Sequence, residues 1–221
     1  MAPRPAGAHA RRAAPKWSAD DRALMRADKV MKRLMEEQGP IDPEIDRRGS
    51  RPDGYQALCR AIVGQQLSTK AAASIWAKLV DQFGGETPTP EQILRKRRPT
   101  LRKVGLSNAK VEFIRDLATR VKSGELDLKA LKKLSDEDVI AELIEVKGIG
   151  RWTAEMFLIF HLGREDVVSV GDLGIRRAVQ ISYGMGDLPG PEELEKLAEE
   201  WRPHRTLACL YLWRSLDNTP T

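Results

Sequence analysis

Asp172 stands immediately before Leu173–Tyr183, a run whose apolar spacing predicts a helix. In that N-cap position its carboxylate can accept backbone N–H bonds, and the helix dipole favours its ionised form. A fixed anion of this kind can stabilise a neighbouring cation, or orient and deprotonate a water, an effect worth ~10²–10⁴ in rate for acid–base catalysis. Capping alone would also account for the residue. A second feature, Gly148-Ile149-Gly150, lies 22 residues earlier, between two helix-like stretches. Two glycines around one apolar residue permit a very tight turn. Ile149 can pack down and pin it, leaving the first amides of the next helix pointing outward. Such amides bind a phosphate well and carry no base-sequence information. An ordinary connection between antiparallel helices would use the same glycines.

The elements around these residues read as helices. Ser18 is a plausible N-cap for a helix running to Gly39-Pro40, with Asp20 and Asp21 in its first turn and Leu24, Ala27, Val30, Met31, Leu34 and Met35 on one face. A charged linker over 41–53 follows. Residues 55–63 read as a buried helix, and Ser68 caps the next. Short helices fit 90–96, 100–104 and 108–122. Others span 135–145, 151–162 and 173–183, one opens at Pro191, and the last runs over 205–216. Only 167–170 has an extended pattern. The expected fold is all-α, with two helical lobes and an active-site cleft between them. Residues 17–53 and 173–221 form one lobe, 54–172 form the lobe carrying the hairpin, and 1–16 are a disordered basic tail.

Composition narrows the function classes. At 221 residues the chain can bury a sizeable core. No apolar run approaches the ~20 residues needed to span a bilayer, and the N-terminus lacks a secretory apolar region. A cytoplasmic protein is expected, nucleoid-associated in a bacterium. The two cysteines, Cys59 and Cys209, are too few for a four-thiolate iron–sulfur site. No carboxylates or histidines cluster at metal-ligand spacing. The net charge of +5 suggests a polyanionic partner, yet Arg4, Arg11, Arg12 and Lys16 supply most of it. Attraction in the body must be local. Its clearest source is Arg95, Lys96, Arg97, Arg98, Arg102, Lys103 and Lys110.

Val146-Lys147-Gly148-Ile149-Gly150-Arg151-Trp152-Thr153-Ala154 resembles the hairpin of the helix-hairpin-helix base-excision DNA glycosylases. Val170-Gly171-Asp172-Leu173-Gly174-Ile175-Arg176-Arg177 matches the family element that carries an essential aspartate. Ala61-Ile62-Val63-Gly64-Gln65-Gln66-Leu67-Ser68 resembles the loop that probes the duplex, and Val104-Gly105-Leu106-Ser107-Asn108-Ala109-Lys110 resembles another family signature. The resemblance covers roughly 53–213 and is nearest the 3-methyladenine DNA glycosylase II branch. The extra N-terminal α/β domain of some members of that branch is not expected here.

This resemblance implies a monofunctional DNA glycosylase of base excision repair. It would hydrolyse the N-glycosidic bond of alkylated bases (3-methyladenine, 7-methylguanine type) in double-stranded DNA and leave an abasic site, acting as a monomer without a catalytic cofactor. Asp172 would be catalytic, because the sugar becomes oxocarbenium-like as the base departs. Strand-cutting relatives carry a lysine nucleophile where this chain has Trp152. The missing iron–sulfur cysteines likewise argue against the endonuclease III and adenine-mismatch branches. A cationic purine calls for an electron-rich pocket, with Trp152, His204 and Tyr55 as candidates. His204 stands in a stretch, 201–205, where some relatives carry an aromatic residue. Gln66, or alternatively Gln65, would fill the hole left by the flipped base. Lys147, Gly148, Ile149, Gly150, Arg151 and Thr153 would contact DNA. A Na⁺ or K⁺ ion could bridge the carbonyls of Ile144, Val146 and Ile149 to a phosphate. Competing readings are a uracil or mismatched-thymine glycosylase on the same scaffold and a non-catalytic hairpin module. The module explains the hairpin but not its spacing to Asp172, nor the Gln65-Gln66 loop.

Overall fold

Helix caps divide the chain. The computed structural model describes residues 16–41 and 53–217, and every regular element among them is helical. The basic tail up to Pro15 and residues 42–52 of the linker lie outside the described residues. Gly54–Gly64, Thr69–Asp81, Asn108–Ser123 and Asp136–Ile144 each start where Asp53, Ser68, Ser107 or Ser135 accepts a backbone amide of the first turn. Pro90–Arg95 opens with a Thr89/Gln92 capping box and Pro90 in its first turn. No helix among the described residues is long and apolar enough to cross a membrane.

One expected helix is two. The run after Ser18 divides into Ala19–Ala27 and Lys29–Gln38, with Asp28 in extended conformation between them. Aspartate competes with helical geometry by accepting local amides. Asp28 Oδ1 takes the amides of Val30 (2.7 Å) and Met31 (3.1 Å), and Oδ2 takes the Trp201 indole N–H at 2.9 Å and the Tyr183 hydroxyl. The break turns Ala27 outward while Leu24, Met31, Leu34 and Met35 stay buried. Residues 151–162 also differ from a single α-helix. Arg151–Met156 is α-helical, and Phe157–Leu162 continues as a π-helix that ends at Gly163.

Buried side chains form two clusters. The first lies within 55–167 and includes Leu58, Ile62, Leu79, Ile114, Leu117, Leu143 and Leu158. The second joins Leu24, Met31 and Met35 of the N-terminal helices to Ile175, Val179, Leu194, Trp201, Tyr211 and Leu212. Long-range bonds secure that closure. Tyr211 Oη donates to Asp21 Oδ1 (3.1 Å), and Gln38 Nε2 donates to the Tyr211 carbonyl (3.2 Å). Phe160 and Trp213 pack against both clusters, stacked with centroids 5.8 Å apart. Val167 is the last buried residue of the first cluster along the chain, Val168 and Val170 already pack against the second, and Ile175 is the next buried member of the second, so Asp172 lies beside this crossover.

Asp28 links three elements of the second cluster. Asp28→Ala removes a cap and leaves the Trp201 and Tyr183 donors without an acceptor, which should cost about 2–4 kcal/mol. Urea unfolding monitored by far-UV circular dichroism measures it. A loss under about 0.5 kcal/mol would show that water replaces the carboxylate at no cost.

Candidate active site and nucleic-acid interface

Asp172 caps the Leu173–Tyr183 helix, with Oδ1 accepting the Ile175 amide at 2.8 Å. The same oxygen accepts the Trp213 indole N–H at 3.0 Å, and Oδ2 accepts the Trp152 indole N–H at 2.7 Å. A carboxylate has about four lone-pair positions. Three are occupied, and no described residue donates to the fourth, on Oδ2. Trp152 remains 50% exposed. Gly174 makes room for this arrangement: a Cβ there would lie 3.0 Å from Asp172 Oδ1 and 3.4 Å from the Trp213 ring.

A second set of bonds fixes the turn that presents Asp172. The Asp172 amide donates to the Ser169 carbonyl (3.0 Å), and the fully buried Ser169 hydroxyl donates to Glu155 Oε2 (2.5 Å). Glu155 lies one helical turn after Trp152, so the bonds close a ring through Glu155, Ser169, Asp172 and Trp152. Arg151 Nε donates to Glu155 Oε1 at 3.0 Å. Burial raises the Glu155 carboxyl above its ordinary range, while Ser169 and Arg151 pull it down.

The hairpin is a tight turn after Asp136–Ile144. Gly148 has φ +81°, and a Cβ there would fall 2.2 Å from the Phe113 ring, so both conformation and space require glycine. Val146 and Ile149 are buried beneath it. No described residue accepts from the amides of Gly150, Arg151 and Trp152, and no side chain caps this helix. Beside the hairpin is the loop after Gly54–Gly64. There Gln65 Nε2 donates to the Gly148 carbonyl (2.6 Å), and Lys110 Nζ donates to the carbonyls of Val63 (2.8 Å) and Gln65 (2.7 Å). Gln66 at the tip is exposed with φ +56°.

Several expected site residues lie elsewhere. Tyr55 is buried in the first cluster with its hydroxyl beside Cys59, so it does not join Asp172. His204 precedes the last helix, Arg205–Asp217, and faces Asp20 at 3.9 Å. At ~1.5 Å per residue it stands about 13 Å along that helix from Trp213. Thr153 is 6% exposed, which withdraws its side chain from any phosphate. The Arg151 guanidinium is held by both Glu137 oxygens (2.6 and 3.0 Å) and by Glu155. The Ile149 amide is used within the turn, donating to the Val146 carbonyl at 3.0 Å. Lys147 keeps an exposed ammonium, 3.9 Å from Asp116, while its amide donates to Asp116 Oδ2 at 3.0 Å. Gln65 is bound to the hairpin, which leaves Gln66 as the projecting residue of the pair. Sequence reasoning missed Trp213. An aromatic residue eight positions before Thr221 carries no local signal, and only the helix packing brings it to Asp172. Glu155 and Ser169 were missed for the same reason.

A family model described as HhH-GPD superfamily base excision DNA repair protein matches residues 59–204. The chain is 35% identical over 190 residues to DNA-3-methyladenine glycosylase 1 of Schizosaccharomyces pombe, covering 85% of this chain and 82% of that protein. A solved structure of a DNA-3-methyladenine glycosidase from Bacillus halodurans superimposes with a TM-score of 0.82 at 38% identity, over 91% of this chain and 90% of that one. The 3-methyladenine DNA glycosylase Mag1 of S. pombe, in complex with abasic DNA, gives 0.81 at 33% identity, over 90% and 97%.

The raised Glu155 carboxyl gives a signed pH dependence. A carboxyl whose folded value lies above its unfolded one favours folding most when protonated. Its contribution is complete below the ordinary glutamate range and is lost as pH rises through the raised value. The Tm of the wild type minus that of Glu155→Gln should therefore fall as pH rises from the ordinary glutamate range into the range above it. Differential scanning fluorimetry across that range measures it, and a flat or rising difference would contradict the burial effect.

Proposed function

The chain belongs to the HhH-GPD superfamily of base excision DNA repair proteins, and from that premise we propose that it is a monofunctional DNA glycosylase. It hydrolyses the N-glycosidic bond of alkylated bases, of 3-methyladenine and 7-methylguanine type, and leaves an abasic site. The observation that carries this reading is the Asp172 carboxylate, fixed by two indoles and one amide with a single lone pair open. The alkylated purine is cationic and departs with the electron pair of the breaking bond, becoming neutral, so it needs little acid assistance. The sugar left behind is oxocarbenium-like. A preorganised anion beside it lowers the barrier, and the open Oδ2 position can also orient the water that attacks C1′. Trp152 and Trp213 offer electron-rich rings to the cationic base. The named substrates of the relatives favour the same lesion class.

The monofunctional assignment rests on Trp152. The side chains donating to Asp172 are two indoles, neither of which can form an imine with the opened sugar. On double-stranded DNA the free amides at 150–152 and the Lys147 ammonium take a phosphate, and Gln66 fills the gap left by the extruded base. All these parts come from one chain, consistent with a protein that acts as a monomer. The carbonyls of Ile144, Val146 and Ile149 are neutral oxygen donors that suit a hard monovalent cation, Na⁺ or K⁺. Val146 already accepts the Ile149 amide and keeps a second lone pair, so the set fits such an ion as a bridge to phosphate. Its contribution would be to DNA binding only.

The wild type should release free 3-methyladenine and 7-methylguanine from methylated duplex DNA, and Asp172→Asn should slow release by roughly 10²–10³. Quantifying free base by chromatography, with uracil and mismatched-thymine duplexes in parallel, tests both points. No release from any substrate would favour a binding module, and equal release by Asp172→Asn would remove that residue from the chemistry. Strand breaks should appear only after alkali or heat. A borohydride-trapped protein–DNA adduct would reveal an amine nucleophile and overturn the argument from Trp152.

A further inference from the structure

We propose that Lys110 is a positioning residue whose ammonium, together with the Gln65 side chain, holds the Gln66 tip in its projecting conformation and couples it to the hairpin. This rests on the reading of Gln66 as the residue that fills the duplex gap. The Gly54–Gly64 helix ends at the loop, where its last carbonyls lack intrahelical partners and carry the negative end of the helix dipole. Lys110 Nζ meets that end at two carbonyls, Val63 (2.8 Å) and Gln65 (2.7 Å). Desolvation lowers its pKa, as expected for an ammonium drawn toward backbone oxygens rather than a carboxylate. The residue between these bonds and Leu67 is Gln66, the only non-glycine with positive φ among the described residues. A left-handed conformation is unfavourable for a residue with a Cβ, and such strain persists only where its surroundings hold it.

The support comes from one helix, Asn108–Ser123. Ser107 caps it through the Lys110 amide (3.2 Å), which sets the direction of the Lys110 stem. One turn later Phe113 packs under Gly148, and three residues further Asp116 accepts the Lys147 amide. Positions 110, 113 and 116 share a face, so a single rigid element carries both the loop and the hairpin. Gln65 closes the link by donating to the Gly148 carbonyl at 2.6 Å. The role explains the 104–110 signature, which the chemistry at Asp172 leaves unused.

Single-turnover excision of one 7-methylguanine separates positioning from stability. The lesion is placed either opposite cytosine in a duplex or in a one-nucleotide bulge, where little stacking must be broken. Lys110→Met, Gln65→Ala and Gln66→Ala should each slow excision from the paired site by about tenfold, matching ~1.4 kcal/mol of lost help with flipping, and leave the bulge rate within about twofold. Lys110→Cys alkylated with 2-bromoethylamine should restore the paired rate. The native Cys59 and Cys209 are buried with thiols pushed up to about 12, so they resist the reagent. Equal slowing on both substrates, or none, in Lys110→Met and Gln65→Ala while Gln66→Ala stays selective would overturn the strut and keep the gap-filling role. A Gln66→Ala variant without selective loss would overturn both. Absence of excision by the wild type from either substrate would instead refute the proposed function.

Discussion

The carboxylate of Asp172 depends on donors from three helices. The Ile175 amide belongs to its own helix, the Trp213 indole to the last helix, and the Trp152 indole to the helix after the hairpin. A partly exposed carboxylate without such partners would sample several rotamers, whereas three directional bonds select one. The price is that two core clusters must meet at this point in register. Phe160 and Trp213, stacked and packed against both clusters, provide that contact, and the buried Ser169–Glu155 bond fixes the strand of chain that crosses it.

Charge on the described surface follows the same economy. The body is nearly neutral, and much of the basic run over 95–110 serves the fold. Arg98 is bidentate with Glu112, Lys96 lies over the Phe83 ring, and Lys110 serves the loop. Nearby Arg115 donates to the carbonyls that end Pro90–Arg95. Arg95, Arg97, Arg102 and Lys103 are left exposed without an ion pair among the described residues. Direct contact from this run with a polyanion falls first to those four side chains. A count of lysines and arginines along the sequence overstates it.

Local chemistry was legible in the sequence, and partners across the fold were not. The caps at Ser18, Ser68, Ser135 and Asp172 follow from residue type and the apolar pattern after them, and each is present. The Gly148 turn was legible because glycine adopts a positive φ far more readily than other residues. The Asp28 break was not, since its carboxylate is satisfied by Tyr183 and Trp201, more than 150 positions away. Tyr55 and His204 have the right chemistry for a base pocket, but an aromatic type does not say which cluster a side chain enters. Trp213 has the same chemistry and the right place, which a chain position cannot reveal. Arg151 shows a further partner that the sequence does not reveal: its guanidinium, beside the turn, is held by Glu137 and Glu155.

The spacing of 22 positions from Gly150 to Asp172 has a physical meaning. Trp152 is the second residue of the helix whose first amides face outward, and its indole reaches Asp172 directly. From there the chain runs out through the π-helix to Gly163. Arg164 then anchors the return by donating to the carbonyls of Lys132 (3.2 Å) and Leu134 (2.7 Å). Thr206 pins the segment beyond it, accepting the Val167 amide and donating to the Arg164 carbonyl. The path doubles back to the place where it started, so its length is set by closure rather than by reach. The outward amides at 150–152 and the Asp172 carboxylate are thereby joined through one residue, Trp152, a link that a hairpin serving only to hold a phosphate does not require.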